Sequence, residues 1–169
     1  SGQRLQSRSV PVVQRIDQHQ TIAHSFSASH QRACLMHGKL FLLGIRPDGR
    51  LSVFERSFPR SMGLAISPDG RTLALATQYQ IHRFDNVLPQ GEVGDDGFDA
   101  VYAPHAGWVT GDLDVHDVGL GADTRPFFVN TLFGCLAAVS DGHSFRSIWK
   151  PPFISPLAAR ERSHLNGMG

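Results

Sequence analysis

Arg46-Pro47-Asp48-Gly49-Arg50 and Ser67-Pro68-Asp69-Gly70-Arg71 carry one turn motif twice, each copy set between short apolar runs. Proline at the second turn position presets φ, the aspartate bonds to nearby backbone, and glycine supplies a left-handed residue. The first copy joins runs at 39–45 and 50–54, and the second joins runs at 63–66 and 72–76. Apolar runs of this length joined by such turns read as β-hairpins. Two copies of one turn inside 25 residues point to repeated architecture, although the copies need not occupy the same place in the repeat.

Working outward, the same alternation of short strands and turns runs from residue 32 onward. Strands are expected at 62–67, 72–77, 80–85 and about 100–104, then at 115–120, 126–131, 135–140 and 145–150. Residues 32–57 read as the second half of a preceding unit. A polar loop from 85 to about 99 holds Pro89, Gly91, Gly94 and Gly97 beside Glu92, Asp95, Asp96 and Asp99, too long for a simple hairpin. Its acids lack the closing glutamate of a calcium-binding loop. No segment keeps a 3.6-residue period, and the best helical stretch is a turn or two at 156–163. The runs that begin at Met62, His116 and His164 each open a new cycle, 54 and 48 residues apart, with the loop accounting for the longer interval. A period of 40–50 residues with four short strands is the signature of a propeller blade. The first strand of a blade lies nearest the axis, which suits Gly63, Ala65, Gly119 and Gly167. The expected fold is therefore all-β: an incomplete β-propeller of about three blades of four-stranded antiparallel sheet. A single sandwich or barrel is the other all-β reading, but it does not predict the spacing.

The chain has 169 residues, 41% of them apolar, enough to bury a core. Residues 1–28 are polar and read as a separate N-terminal segment, with the partial propeller over 29–169 and continuing past the chain end. A propeller closes with at least four blades, and open arcs leave unpaired edges. The missing blades are therefore expected from the rest of a longer chain or from an oligomer. The formal charge is +1 with no polybasic block, which argues against nucleic-acid or membrane-surface partners. No apolar run approaches the ~18 residues of a membrane span, and the first fifteen residues lack the apolar core of a secretory signal. Cys34 and Cys135 sit in separate apolar runs without a C-x-x-C motif and read as buried thiols in a reducing, cytoplasmic setting.

Several segments resemble a family of uncharacterised bacterial proteins, some of which carry tetratricopeptide repeats. They are Gly38-Lys39-Leu40-Phe41-Leu42-Leu43-Gly44, Met62-Gly63-Leu64-Ala65, Tyr79-Gln80-Ile81-His82-Arg83-Phe84, Thr110-Gly111-Asp112-Leu113-Asp114-Val115-His116-Asp117, Phe128-Val129-Asn130-Thr131-Leu132-Phe133-Gly134-Cys135-Leu136, Ser144-Phe145 and Trp149-Lys150-Pro151-Pro152-Phe153-Ile154-Ser155. The resemblance covers roughly residues 30–169. It implies a longer protein of which this is the N-terminal half, and it supplies no activity.

The chemistry concentrates in Asp112-x-Asp114-x-His116-Asp117. In an extended chain Asp112, Asp114 and His116 share one face while Leu113 and Val115 take the other. Two carboxylates and an imidazole form a donor set for a divalent metal ion. His116 and His164 open successive inner strands at one mouth of the channel, Asn166 shares the face of His164, and Asn130 stands on the neighbouring strand. The candidate ligand-binding residues are Asp114, His116, Asp117, Asn130, His164 and Asn166, with His116 and His164 as the metal ligands. The competing reading is structural: aspartate and histidine at a strand entrance bond to free backbone groups. The remaining histidines read as surface or capping groups, and Trp108, Trp149, Phe127, Phe128 and Phe133 as packing between blades. There is no nucleophile elbow, H-E-x-x-H, phosphate loop or dinucleotide fingerprint. Two functions follow: a ligand-binding or interaction module for a small molecule or protein, or a metal-dependent hydrolase or lyase acting on a small molecule at the channel mouth.

Overall fold

A computed structural model describes residues 22–25, 32–46, 48–95 and 97–152. They form twelve strands and no helix, arranged as three four-stranded antiparallel sheets. Sheet A holds β1 (Ile22–Ser25), β2 (Arg32–Met36), β3 (Lys39–Ile45) and β4 (Leu51–Ser57). Sheet B holds β5 (Gly63–Ile66), β6 (Thr72–Ala76), β7 (Gln80–Asn86) and β8 (Tyr102–Val109). Sheet C holds β9 (Val115–Leu120), β10 (Pro126–Asn130), β11 (Cys135–Ala138) and β12 (Arg146–Trp149). Within each sheet, spatial order follows chain order.

The turns form as their residues dictate. Gly49 N–H donates to Arg46 O and Gly70 N–H to Ser67 O, both at 2.8 Å. Both glycines have positive φ, 80° and 71°. The Asp48 and Asp69 carboxylates each accept from the backbone N–H two residues on, Arg50 and Arg71. A third copy of this turn closes β9 to β10. Thr124 N–H donates to Gly121 O, Asp123 accepts from Arg125 N–H, and Thr124 takes the left-handed conformation at φ 58°. The second and third copies occupy equivalent places, between the first and second strands of their sheets. The first lies between the third and fourth strands of sheet A.

Sheet B is packed on both faces. The stretch Leu73-Ala74-Leu75-Ala76 in β6 sends its leucines one way and its alanines the other, because strand side chains alternate. Leu64, Leu73 and Leu75 meet Ala33, Leu35 and Leu40 of sheet A. Ala65, Ala74, Ala76 and Ile81 meet Val115, Val118, Phe128, Cys135 and Ala137 of sheet C. Burial of each leucine contributes roughly 1.5–3 kcal/mol. The first strands lie side by side, β1 against β5 and β5 against β9. Gly63 permits the second contact: a Cβ there would stand 3.1 Å from Val118 N. The result is a propeller-like succession of sheets. Cys34 and Cys135 are free and stand in sheets A and C with sheet B between them. Burial pushes both thiols up.

The structure extends two readings of the sequence. Sheet A is a complete four-stranded sheet, since β1 pairs with β2 from within the stretch read as polar N-terminal segment. Four residues ending in His24-Ser25 carry no apolar run to announce a strand. In sheet B the fourth strand runs to Val109 rather than stopping near 104. Pro104 and Gly107 interrupt the pattern, and an edge strand tolerates both. The loop between β7 and β8 is pinned by the Asn86 side chain, which accepts from Leu88 and Val101 N–H, and by Arg71, which donates to Asn86 and Leu88 carbonyls. The 156–163 stretch lies outside the described residues.

Candidate functional site

Links between strands gather at one end of the three sheets and are bonded to one another. Phe58 N–H donates to Gly38 O, Gln78 N–H to Pro59 O, Thr110 N–H to Tyr79 O and Leu132 N–H to Leu113 O, at 2.8 to 3.2 Å. This rim carries the polar cluster. Arg60, on the link from β4 to β5, donates from Nη2 to Asp114 Oδ1 at 2.8 Å. Its Nη1 stands 3.7 Å from Asp112 Oδ2. Gln78 Nε2 donates to Asp112 Oδ2 at 3.1 Å. His116 Nε2 stands 3.1 Å from Asp114 Oδ2. The order Gln78, Asp112, Arg60, Asp114, His116 alternates donor and acceptor across three separate segments. Asp114 adopts φ 50° and Arg60 φ 44°, so two of these residues hold left-handed backbone. Such strain persists where surrounding structure enforces it.

The extended run expected from Asp112 to His116 is broken at Asp114, whose backbone is left-handed and which precedes β9. Leu113 and Val115 are buried, Asp112 is exposed, and Asp114 and His116 are partly buried; Arg60 bridges the two carboxylates, and Asp114 in turn contacts His116. The group between the two carboxylates is a guanidinium of the chain itself. Among the described residues no three His, Cys, Asp or Glu side chains gather to hold a metal ion. Asp117 Oδ1 accepts from Val118 N–H at 2.9 Å, a local backbone contact. Asn130 is fully buried; it pairs with Val115, and its Oδ1 accepts from Phe133 N–H to close the turn after β10. Asn130 Nδ2 has no partner among the described residues. The structure thus brings Asp114 and His116 into contact, while Asp117 bonds backbone of its own strand and Asn130 is buried at the turn after β10. His164 and Asn166 lie outside the described residues. Arg60 and Gln78 carry no signal in the sequence: their partners lie 54 and 34 residues away.

A family model described as "Domain of unknown function (DUF4915)" matches residues 18–169. The chain belongs to the DUF4915 family. No curated protein sequence matches this DUF4915 chain. Among solved structures it is similar to a protein assigned as a 6-phosphogluconolactonase from Bacteroides uniformis, at 15% identity and a TM-score of 0.46, over 73% of this chain and 40% of that one. It is also similar to a catalytically inactive virginiamycin B lyase from Staphylococcus aureus with quinupristin, at 14% identity and a TM-score of 0.32, over 79% of this chain and 60% of that one. The DUF4915 chain thus spans less than two thirds of either structure.

Other histidines serve packing and charge. His82 is half-buried, stacked on Phe84 and tilted against Phe58, and burial pushes its pKa down. This overturns a surface reading of that residue. His105 Nδ1 stands 2.9 Å from Asp85 Oδ2. Burial alone would raise the Asp85 carboxyl, but bonds from Arg83 and Thr72 and the charges of Arg83 and His105 hold it below its ordinary value. Phe128 is in the core between sheets B and C, and Trp108 and Phe133 pack against that core, as expected of blade aromatics. Trp149 is about half exposed on β12.

Proposed function

We propose that the three sheets are part of an incomplete β-propeller of about three blades, and that the protein is a cytoplasmic ligand-binding or interaction module. Its ligand, a small molecule or a protein segment, meets the rim at Arg60, Gln78, Asp114 and His116. One observation carries this reading. Three segments remote in sequence deliver alternating donors and acceptors to one partly open place, with two backbones held left-handed to do so. Asp117 and Asn130 support the site from β9 and β10, and His164 with Asn166 extends it at the next cycle. The missing blades come from further chain or from other subunits. In support, the face of sheet A turned away from sheet B carries Phe41, Leu43, Ile45, Leu51 and Val53, the apolar face a neighbouring blade needs. Nucleic acid and membrane are not partners in this reading. The test is a thermal-shift screen of polar small molecules. Stabilisation that is lost in both Arg60→Ala and His116→Ala is the expected result. Stabilisation that survives both variants, or none from any compound, overturns it.

A second reading, a metal-dependent hydrolase or lyase, rests on the Asp114–His116 contact, since a carboxylate commonly orients a metal-ligating imidazole. His116 and His164 would be the ligands of a divalent ion, with Asp114 or Asp117 orienting a ligand or moving a proton. Metal content after loading with zinc, manganese or calcium separates the two. Stoichiometric metal that disappears in His116→Ala favours the enzyme, and its absence under every loading favours the module.

A further inference from the structure

The edge of sheet B carries a second feature, independent of the Arg60–His116 rim. β8 is the outer strand of that sheet, so one side of its backbone lacks a neighbouring strand within the sheet. Natural proteins blunt such edges with proline, bulges, charge or brevity. The first half of β8 has these devices. Pro104 removes a donor, the register breaks opposite Arg83 and Phe84, and His105 is tied to Asp85. The second half, Ala106-Gly107-Trp108-Val109, has no charge, no proline and no bulge. Of the other outer edges, β12 has four residues, a register shift and Arg146, while β4 carries Glu55 and Arg56 in its second half only, its first half belonging to the apolar face assigned above to a neighbouring blade.

The unguarded half opens into a groove of about 750 Å³, walled on the other side by Ser140-Asp141-Gly142-His143-Ser144. The walls are fixed. Trp108 Nε1 donates to Asp141 Oδ1 at 3.0 Å, and Arg125 both bonds to Asp141 and lies over the Trp108 ring. A Cβ at Gly107 or Gly142 would meet nothing within 4 Å, so neither position crowds the groove. Val109 is 68% exposed, and the facing turn offers serine, aspartate and histidine.

We propose that Ala106–Val109 accepts an extended peptide segment of a partner protein as a fifth strand of sheet B, seated in this groove. Main-chain hydrogen bonds to the β8 edge supply the affinity, and side chains alternating along the added strand supply the selectivity. One face of that strand lies against Ser140, His143 and Ser144 and takes polar residues. The other lies beside Val109 and takes apolar ones.

The probe is an acetylated, amidated peptide of sequence Thr-Val-Ser-Val-Thr-Val, titrated into the 169-residue chain and followed by amide chemical shifts. Shifts are expected at residues 106–109 and 140–144. N-methylation of alternate peptide nitrogens removes the main-chain donors and is expected to weaken binding at least tenfold. Val109→Lys, at a site too exposed to disturb folding, is expected to weaken it by the same factor, while Leu51→Lys on the β4 edge changes it less than twofold. Equal binding of the N-methylated peptide, shifts elsewhere, or no binding at millimolar peptide overturns the proposal. So does a concentration-dependent dimer that perturbs residues 106–109 without peptide, because the occupant is then a second copy.

Discussion

Replacing Gly63 with alanine tests the packing of the three sheets at its tightest point. The added Cβ would stand 3.1 Å from Val118 N, 3.2 Å from Asp117 C and 3.2 Å from Ala76 Cβ. Carbon contacts are comfortable at roughly 3.5–4.0 Å, so β5 and β9 must separate by a few tenths of an ångström. Two of the three neighbours are backbone atoms and cannot turn aside. Overpacking of this kind costs about 1–3 kcal/mol. Gly63 does not have positive φ, so alanine also recovers about 0.4–1 kcal/mol by stiffening the unfolded chain. The net loss is about 0.5–2 kcal/mol, which lowers Tm by roughly 2–6 °C for a chain of this length. Thermal unfolding followed by circular dichroism reads it directly. Gly107→Ala is the internal control, since a Cβ there meets nothing within 4 Å and only the gain remains. If Gly63→Ala proves as stable as the parent chain while Gly107→Ala behaves as expected, sheets B and C are not packed as closely as argued.

Thr124→Gly removes a β-branched side chain from left-handed backbone and is expected to stabilise by about 0.5–1 kcal/mol, net of the lost contact from Thr124 Oγ1 to Asp123 O. Urea unfolding measures it, and a loss of stability refutes the claim that this turn is a strained copy of the Pro-Asp-Gly turns. Tyr102 donates its hydroxyl to Gly70 O at 2.6 Å, and burial first, then the charges of Asp99 and Asp69, pushes its pKa up to about 12. The folded state therefore holds a proton that the unfolded chain releases from about pH 10 upward. The stability this group contributes is complete below pH 10 and falls as pH rises toward 12. The loss is about 1 kcal/mol once solvent screening is allowed for. Tyr102→Phe should flatten that part of the profile; a profile unchanged by the substitution counts against the buried hydroxyl.

Local chemistry made most of the strands legible. Proline, aspartate and glycine at fixed offsets announce a turn whatever surrounds it, so the hairpins at 46–50 and 67–71 stand out in the sequence. The turn at Gly121–Thr124 is legible too, but its kinship to the other two is not, because Thr124 stands where they have glycine and holds a conformation its own preferences oppose. β1 and the far half of β8 were hidden for a related reason: each forms by pairing with a neighbouring strand, and neither has an apolar period of its own. The site divides in the same way. Asp114 and His116 are two residues apart, so their nearness is legible, although the left-handed turn at Asp114 that sets their contact is not. Arg60 reaches them only after sheets B and C have packed, and no spacing rule links residues 60 and 114.

The unequal faces of β6 also act as an error check during folding. A strand that slips by one residue exchanges its faces. Here the slip would drive Leu73 and Leu75 into the layer already filled by Phe128 and leave alanines opposite Leu35 and Leu40. One side would be overfilled and the other hollow, so the misregistered sheet is rejected by both neighbours at once. Five residues thereby specify which way round the central sheet is assembled.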